Sequence, residues 1–241
     1  MSRMAKRFWK RARAVPAPEA ERGHMVQLDG RPLCTPAGAV LVVPGRALAE
    51  ALAAEWDAQG ETVDPGSMPL TRIANSAQDK VAGQKAGVVD HLVQYGDTDL
   101  LCYRADAPAA LAARQAAGWD PYLDWAAREL GARLHPRQGI MHRPQDAEAL
   151  ARLRERVQAL GHFTLAGFAD LVTLSGSLVL AFATIHRFRP PADVWAASRI
   201  DETWQIEQWG EDEEARLLSE RKFHSFRKAA EFVALVPETC F

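Results

Sequence analysis

A helical period in the apolar residues runs from Pro108 almost to the end of the chain and constrains the fold more than any other feature. It divides into five segments, separated by short stretches rich in glycine, proline and charged residues. Apolar side chains three or four positions apart form one stripe on an α-helix, and short separators favour helices that pack against one another. The pattern therefore predicts helices at residues 109–131, 145–160, 164–185, 192–209 and 211–235.

The N-terminal part has a different pattern. In residues 24–43, short β-prone runs alternate with an Asp-Gly pair and a Pro-Ala-Gly triplet, which are typical of tight turns. One amphipathic helix follows this stretch. We therefore predict an α+β fold, with a small β-containing N-terminal domain at residues 1–85 and a larger all-helical C-terminal domain at residues 86–241.

The composition excludes several classes of protein. The 241 residues are 48% hydrophobic and 25% charged, and the formal net charge of -2 gives no reason to expect binding to nucleic acid. No apolar run reaches the roughly 18 to 20 residues of a membrane-spanning helix, so stable membrane insertion is not expected. Three widely spaced cysteines, Cys34, Cys102 and Cys240, predict neither a disulfide framework nor a zinc site, and they fit a reducing compartment.

The start of the chain is basic. Six lysine and arginine side chains between Arg3 and Arg13 precede the first acidic residue, Glu19. The apolar run of a secretory signal peptide is missing, and Phe8 and Trp9 are typical of residues that anchor a segment to a core. An ordered start is therefore favoured over a targeting peptide. An anion or nucleic-acid contact through this basic stretch stays open as an alternative, which a steep salt dependence of binding would reveal.

Motifs of the common enzymes are missing. The sequence has no phosphate-binding glycine loop, no HExxH zinc motif and no GxSxG nucleophile elbow. Asp97 and Asp99 form an Asp-x-Asp pair, which can hold a divalent cation but is explained as well by a turn or a helix cap. We expect no catalysis, no cofactor and no metal. The alternative is a metal-dependent hydrolase that uses Asp97, Asp99 and the acidic helix described next.

Residues 201–215, DETWQIEQWGEDEEA, hold seven carboxylates, two tryptophans and no basic side chain. We call them the acidic segment. If Gly210 separates two helices, the four acids after it form the first turn of the second helix, where the helix dipole stabilises each by roughly 0.3 to 1 kcal/mol. Glu207 would instead lie in the last turn of the first helix, where a negative charge is unfavourable, and it needs another reason.

The two tryptophans of the acidic segment give a second reason to expect a binding surface. They are five positions apart, about 140° around a helix, so they cannot both face one core. An exposed aromatic side chain beside acids is typical of protein-binding surfaces, although neighbouring helices that cover both rings are the alternative. We therefore predict the following partner-binding residues: Glu202, Trp204, Glu207, Trp209 and Glu211.

Six stretches, in this order along the chain, resemble one known family: RFWK, VQLDGRPLCTPAG, LAAEWDAQGETVDPGSMPLTRIANSAQD, YGDTDLLCYRA, WDPYLDW and DETWQIEQWGEDEEA. The family consists of assembly chaperones for F(1), the catalytic head of F-type ATP synthase. Within it, the chain is similar to the members specific to the alpha subunit. The similarity extends over nearly the whole chain, and the combination of EWDAQ, MPLT and TDLLCYR is its most specific part.

The resemblance implies a chaperone that is not an enzyme and does not use ATP. Such proteins bind the free alpha subunit of ATP synthase, shield the surface that later contacts a beta subunit, and give the subunit up as the hexamer forms. A β-containing N-terminal domain and a larger helical domain are also implied, in agreement with the periodicity. Mitochondrial members act in the matrix. Because the matching region begins within the first ten residues, we expect a bacterial cytoplasmic member, acting as a monomer.

Overall fold

The structure is a computed structural model that describes residues 6–18, 23–139 and 141–237. The chain divides into two compact units. Unit 1 consists of Met1–Lys85, Leu160–Gly167 and Glu231–Phe241, and unit 2 consists of Ala86–Ala159 and Phe168–Ala230. Unit 1 thus includes two segments that follow residue 86, which the periodicity alone places with the C-terminal helices.

Unit 1 contains a four-stranded antiparallel sheet. Strand β2 (His24–Leu28) pairs with β1 (Ala12–Pro16) along its whole length, and with the short strands β3 (Arg31–Pro32) and β4 (Val42–Val43). The Asp-Gly pair between β2 and β3 has positive φ at both residues, as a tight hairpin turn requires. The β unit predicted at residues 24–43 is confirmed, and β1 extends it into the basic start of the chain.

Helix α1 (Arg46–Asp57) packs on β1 and β2 through a buried stripe of leucine and alanine side chains. Its Glu55 carboxylate accepts hydrogen bonds from the backbone N–H groups of Leu70 and Thr71, each at 2.8 Å. These are among the first residues of α2 (Pro69–Ser76), so Glu55 caps that helix. The EWDAQ and MPLT stretches are therefore joined by a carboxylate–amide contact within unit 1.

The described part of the basic start, which begins at Lys6, is ordered. Arg7 donates hydrogen bonds to the backbone carbonyls of Trp9 and Asp57, each at 3.0 Å. Trp9 is buried, as expected of a core anchor, but Phe8 is 64% exposed, so the expectation of a second anchor is wrong. Arg3 and Cys240 lie outside the described residues, while Cys34 and Cys102 are free thiols.

The remaining helices have most of their residues in unit 2. They are α3 (Ala82–Asp97), α4 (Ala109–Trp125), α5 (Ala147–Ala159), α6 (His162–Ser175), α7 (Leu178–Ile185), α8 (Pro191–Ser198), α9 (Ile200–Trp209) and α10 (Glu213–Leu235). The α+β fold class is confirmed. Unit 2 also contains a two-residue parallel pair, between β5 (Tyr103–Arg104) and β6 (Arg137–Gln138), so residues 86–241 are not entirely helical as predicted.

Two of the predicted helices are interrupted. Gly176, in the left-handed region with φ of 72°, ends α6, and the Ser177 hydroxyl accepts the N–H of Leu180 at 3.0 Å to begin α7. The helix predicted at 192–209 breaks at Arg199, between α8 and α9. Because α7 is buried on all sides, its residues show no amphipathic period that would mark where it begins.

Within the described ranges, none of the helices combines the length and the low charge that crossing a membrane requires.

Candidate functional site

Helix α9, which carries the first part of the acidic segment, is held against α4. Ile200 lies over Gly118 so closely that a Cβ atom there would collide with the Ile200 side chain. Gln115 Nε2 donates a hydrogen bond to Asp201 at 2.6 Å, and the Trp119 indole N–H donates to a backbone carbonyl of α8 at 2.7 Å. One side of α9 is thereby fixed to unit 2, yet none of its residues, all of them described, is buried.

Glu207 has an intramolecular partner, Arg114 of α4. Two nitrogens of the Arg114 guanidinium donate to the two carboxylate oxygens of Glu207, at 2.5 and 2.8 Å. These hydrogen bonds lower the pKa of the Glu207 carboxyl group and raise the pKa of Arg114. The pair answers the question that the sequence raised, because a facing guanidinium offsets the unfavourable end of the helix dipole.

The other predicted residues of α9 lie on different sides of the helix. Glu202 is exposed and pairs with Arg199 at 2.8 Å, one turn away. Trp204 is half-buried, whereas Trp209 is 79% exposed and Ile206 is 42% exposed. The prediction that the two tryptophans do not share one core is confirmed. Glu202, Ile206 and Trp209 have the i, i+4, i+7 spacing that places them on one stripe, so the outer face of α9 is both apolar and acidic.

The second part of the acidic segment forms the start of α10. Gly210, with φ of 90°, ends α9, and α10 begins at Glu213. Asp212 accepts a hydrogen bond from the backbone N–H of Ala215 at 2.8 Å, and so caps the helix. We call residues 211–214 the acidic tip. Its four side chains are exposed, and no basic side chain in the described part of the chain forms an ion pair with them.

Asp99 has a structural role in unit 2. It is fully buried, and its carboxylate accepts the backbone N–H groups of Leu101 and Val179, each at 3.1 Å. Burial raises the pKa of Asp99 to about 6, against the lowering effect of hydrogen bonds from Ser177 and from these backbone groups. The carboxylate therefore joins the turn before β5 to the first turn of α7.

Asp97 is held in the fold as well. One of its oxygens accepts the backbone N–H of Gln145 at 2.7 Å, and the other lies 3.2 Å from His142 Nε2. The described residues contain no group of three or more His, Cys, Asp or Glu side chains that could hold a metal ion. Because Asp97 and Asp99 each accept backbone donors, their arrangement gives the metal-dependent hydrolase hypothesis no support.

The sequence reasoning missed the residues that position the acidic segment. Arg114 and Gln115 belong to α4 and contact Glu207 and Asp201, about ninety positions further along the chain. The local sequence marks these two residues in one way only: their long polar side chains interrupt the alanine-rich run AALAARQAAG. Gln115 is buried, and a buried polar side chain needs hydrogen-bond partners, but the run does not say where those partners are.

An α+β protein that exposes an aromatic and aliphatic surface beside unpaired carboxylates has the features of a protein that binds other proteins. The family model described as ATP12 chaperone protein matches residues 6–127. The chain belongs to the ATP12 chaperone family. It is thereby a chaperone of ATP synthase assembly, as the resemblance of its motifs indicates, and its family is one of chaperones and not of enzymes.

Individual relatives agree with this family. The crystal structure of Atp12 from Paracoccus denitrificans is 46% identical, covers 97% of this chain and 99% of its own, and has a TM-score of 0.92. A chaperone candidate from Agrobacterium tumefaciens is 40% identical over 96% of this chain and 86% of its own, with a TM-score of 0.92. The mitochondrial protein atp12 of Schizosaccharomyces pombe is 27% identical over 223 residues, 87% of this chain and 75% of its own.

Proposed function

We propose that this chaperone binds the unassembled alpha subunit of the F(1) head, prevents its aggregation and releases it to the beta subunit. The family supports the role in assembly, and the exposed Trp209 beside the acidic tip is the observation that carries the finer statement. An unassembled subunit exposes apolar surface that would otherwise aggregate. A chaperone has to cover that surface with moderate affinity, because release must follow.

The five predicted residues have two kinds of role in this proposal. Trp209 and Glu211, both exposed, contact the client directly, and Glu202 lies on the same outer face. Glu207 acts through Arg114, which keeps α9 on α4, and the half-buried Trp204 supports the helix from its other side. The client surface is therefore the outer face of α9 together with the acidic tip.

Aggregation of purified alpha subunit, followed by light scattering, tests the proposal. The wild-type protein is expected to suppress scattering, and Trp209→Ala is expected to raise the concentration needed for half-protection about tenfold, as for a central interface aromatic. Phe8→Ala is the matched control, because Phe8 is a similarly exposed aromatic residue of unit 1. If Trp209→Ala protects as well as the wild type, the proposed contact surface is wrong.

A pull-down from a native lysate tests the choice of client. We expect recovery of the alpha subunit without the beta subunit, since beta takes over the shielded surface. Recovery of beta alone, or no suppression of alpha aggregation by the wild-type protein, would contradict the proposed function.

The proposal includes the setting in which the protein acts. We propose that it acts in the cytoplasm of a bacterium, as a monomer, and without ATP or another cofactor. The bacterial location is supported by two similar solved structures, both of bacterial proteins. Sedimentation velocity of the purified protein tests the monomer, and an aggregation assay without nucleotide tests the independence from ATP.

A further inference from the structure

The seven carboxylates of the acidic segment fall into two groups. Asp201, Glu202 and Glu207 on α9 each have a partner side chain within unit 2, at 2.6, 2.8 and 2.5 Å. The four carboxylates of the acidic tip have no basic partner within the described ranges. Unpaired negative charge is thus concentrated at one place, immediately after Trp209.

Exposed apolar side chains are concentrated at the same place. Of the six large hydrophobic side chains that are exposed in the described chain, four flank the acidic tip. Ile206 and Trp209 precede it, and Leu217 and Leu218 follow it at the i+4 positions of its last two acids. The tip and these four residues therefore combine apolar area with negative charge over a short length of chain.

This surface belongs to a long stretch in which no residue is fully buried. From residue 200 to residue 225, all of which the structure describes, no side chain is buried, and the first buried residue of α10 is Phe226. Half-buried residues such as Ile200 pack on the rest of unit 2, whereas the four exposed apolar side chains bury little area in the fold. Contiguous exposed apolar side chains with a polar edge are typical of interaction sites.

Charge decides what kind of segment fits this surface. The tip carries four carboxylates. Arg216, the first basic residue of α10, pairs with Glu220. The next basic residues, Arg221 and Lys222, follow about two helical turns after the tip. We infer that the acidic tip, with Trp209, binds a client segment in which apolar side chains are flanked by lysine or arginine. This inference rests on the proposed chaperone function, and it names the chemistry of the client segment that the chaperone recognises.

The two components of the surface have different tasks. Trp209 supplies the apolar area that becomes buried, as aromatic side chains do at the centre of interfaces. The tip carboxylates favour basic segments and accelerate encounter, so their contribution declines as salt screens it. Glu207 acts indirectly in this scheme, because its two oxygens accept hydrogen bonds from Arg114 and so help to position α9.

Peptide binding tests the inference on the full-length protein. The probes are the blocked peptides Lys-Lys-Leu-Phe-Leu-Lys-Lys and Glu-Glu-Leu-Phe-Leu-Glu-Glu, and the readout is tryptophan fluorescence. Trp209 is the exposed member of the seven tryptophans, all of which are described, so a spectral change on binding reports on it. We expect the basic peptide to bind, with an affinity that falls as salt rises, and the acidic peptide not to bind. The Trp209→Phe variant is expected to lose the signal.

Two sets of variants separate the tip from its surroundings. Replacing Glu211, Glu213 and Glu214 together by glutamine is expected to weaken binding of the basic peptide about tenfold. Replacing the paired acids Glu148 and Glu155 of α5 by glutamine is the matched control and is expected to change affinity less than about twofold, because both pair with Arg152 and neither belongs to α9 or the acidic tip. Arg221→Gln with Lys222→Gln on α10 is expected to cause no loss.

Several outcomes overturn the inference. They are equal binding of the two peptides, undiminished binding of the basic peptide by the triple glutamine variant, and a larger loss in the paired-acid control than in the triple variant. The aggregation assay with alpha subunit separates this failure from failure of the proposed function. If the triple variant still protects the alpha subunit, only the inferred role of the acidic tip is overturned. If the wild-type protein does not protect the alpha subunit, the proposed chaperone function is overturned as well.

Discussion

Two parts of the chain, Asp97 to Asp99 and the acidic segment, are both rich in carboxylates but differ in what their oxygens hold. Asp97 and Asp99 each accept a hydrogen bond from the backbone of a distant element, at 2.7 and 3.1 Å. The acidic tip is exposed, and Asp212 alone among its residues caps a helix in the described structure. The role of a carboxylate therefore depends on which groups donate hydrogen bonds to it. The number of acidic residues nearby in the sequence does not predict that role.

Carboxylates in the two regions are expected to have different roles, in stability for the buried ones and in binding for the exposed ones. A buried carboxylate that satisfies backbone donors supports the fold, because its removal leaves those donors without an acceptor. An exposed carboxylate contributes little to stability, and its charge acts on molecules that approach. Substitutions in the two regions should therefore separate into those that change unfolding and those that change client binding.

The largest effect is expected from Asp99→Ala. It leaves the buried N–H groups of Leu101 and Val179 without their acceptor. At about pH 5, where burial keeps the Asp99 carboxyl group largely protonated, the free energy of unfolding should therefore fall by about 3 to 5 kcal/mol. Urea unfolding followed by circular dichroism measures this change. Asp97→Ala is the control, with an expected loss of about 1 kcal/mol, because Asp97 is partly exposed. Equal losses in the two variants would contradict the distinction between them.

The pH dependence of stability isolates the same carboxyl group. Burial raises the pKa of Asp99 from 3.8 to about 6, so its protonated form is favoured in the folded state. Its stabilising contribution is fully present below pH 3.8 and is lost as the pH rises through about 6. The loss amounts to about 3 kcal/mol, at about 1.4 kcal/mol for each pKa unit.

Urea unfolding of the wild type and of Asp99→Asn between these pH values measures that loss. The stability of the wild type relative to the variant should decrease with rising pH, since the variant has no carboxyl group to ionise there. A difference that stays constant, or that grows with pH, would show that the pKa of Asp99 is not raised.

Gln115→Ala sharpens the comparison within the acidic segment itself. Gln115 is buried, accepts the backbone N–H of Ala105 at 2.8 Å and donates to Asp201 at 2.6 Å. Its removal should lower the free energy of unfolding by about 2 kcal/mol, as measured in urea. Gln205→Ala, on the exposed side of α9, is the matched control and should change stability by less than about 0.5 kcal/mol. A similar loss in both variants would mean that Gln115 does not anchor α9.

The smallest effect on stability is expected at the pair between Glu207 and Arg114. Glu207→Lys removes an exposed ion pair and places two cations side by side, so α9 should lose its orientation while the melting temperature changes little. Protection of the alpha subunit should decrease. The combined Arg114→Glu and Glu207→Lys variant restores an ion pair with reversed charges, and we expect it to recover protection. If recovery fails although the fold is intact, Glu207 contacts the client directly.

Much of the fold follows from local patterns. Amphipathic periods predicted the helices that have one buried face, such as α5, whose predicted bounds 145–160 differ little from Ala147–Ala159. Local sequence also places the hairpin turn at Asp29 and Gly30, because an Asp-Gly pair favours the positive φ angles of a tight turn without help from distant residues. The periodicity failed at the start of α7, where every side of the helix is buried and no period remains.

The sequence by itself determined the α+β order of elements, the family resemblance, the expectation that Trp204 and Trp209 do not both face one core, and the anomaly at Glu207. Each depends on residues within a few turns of one another. Only the tertiary structure decided that Arg114 resolves the anomaly, and that Asp99 is a buried support of the fold. The physical reason is that charge pairing and desolvation depend on which elements meet in space, and these partners are separated by 93 and 80 positions along the chain.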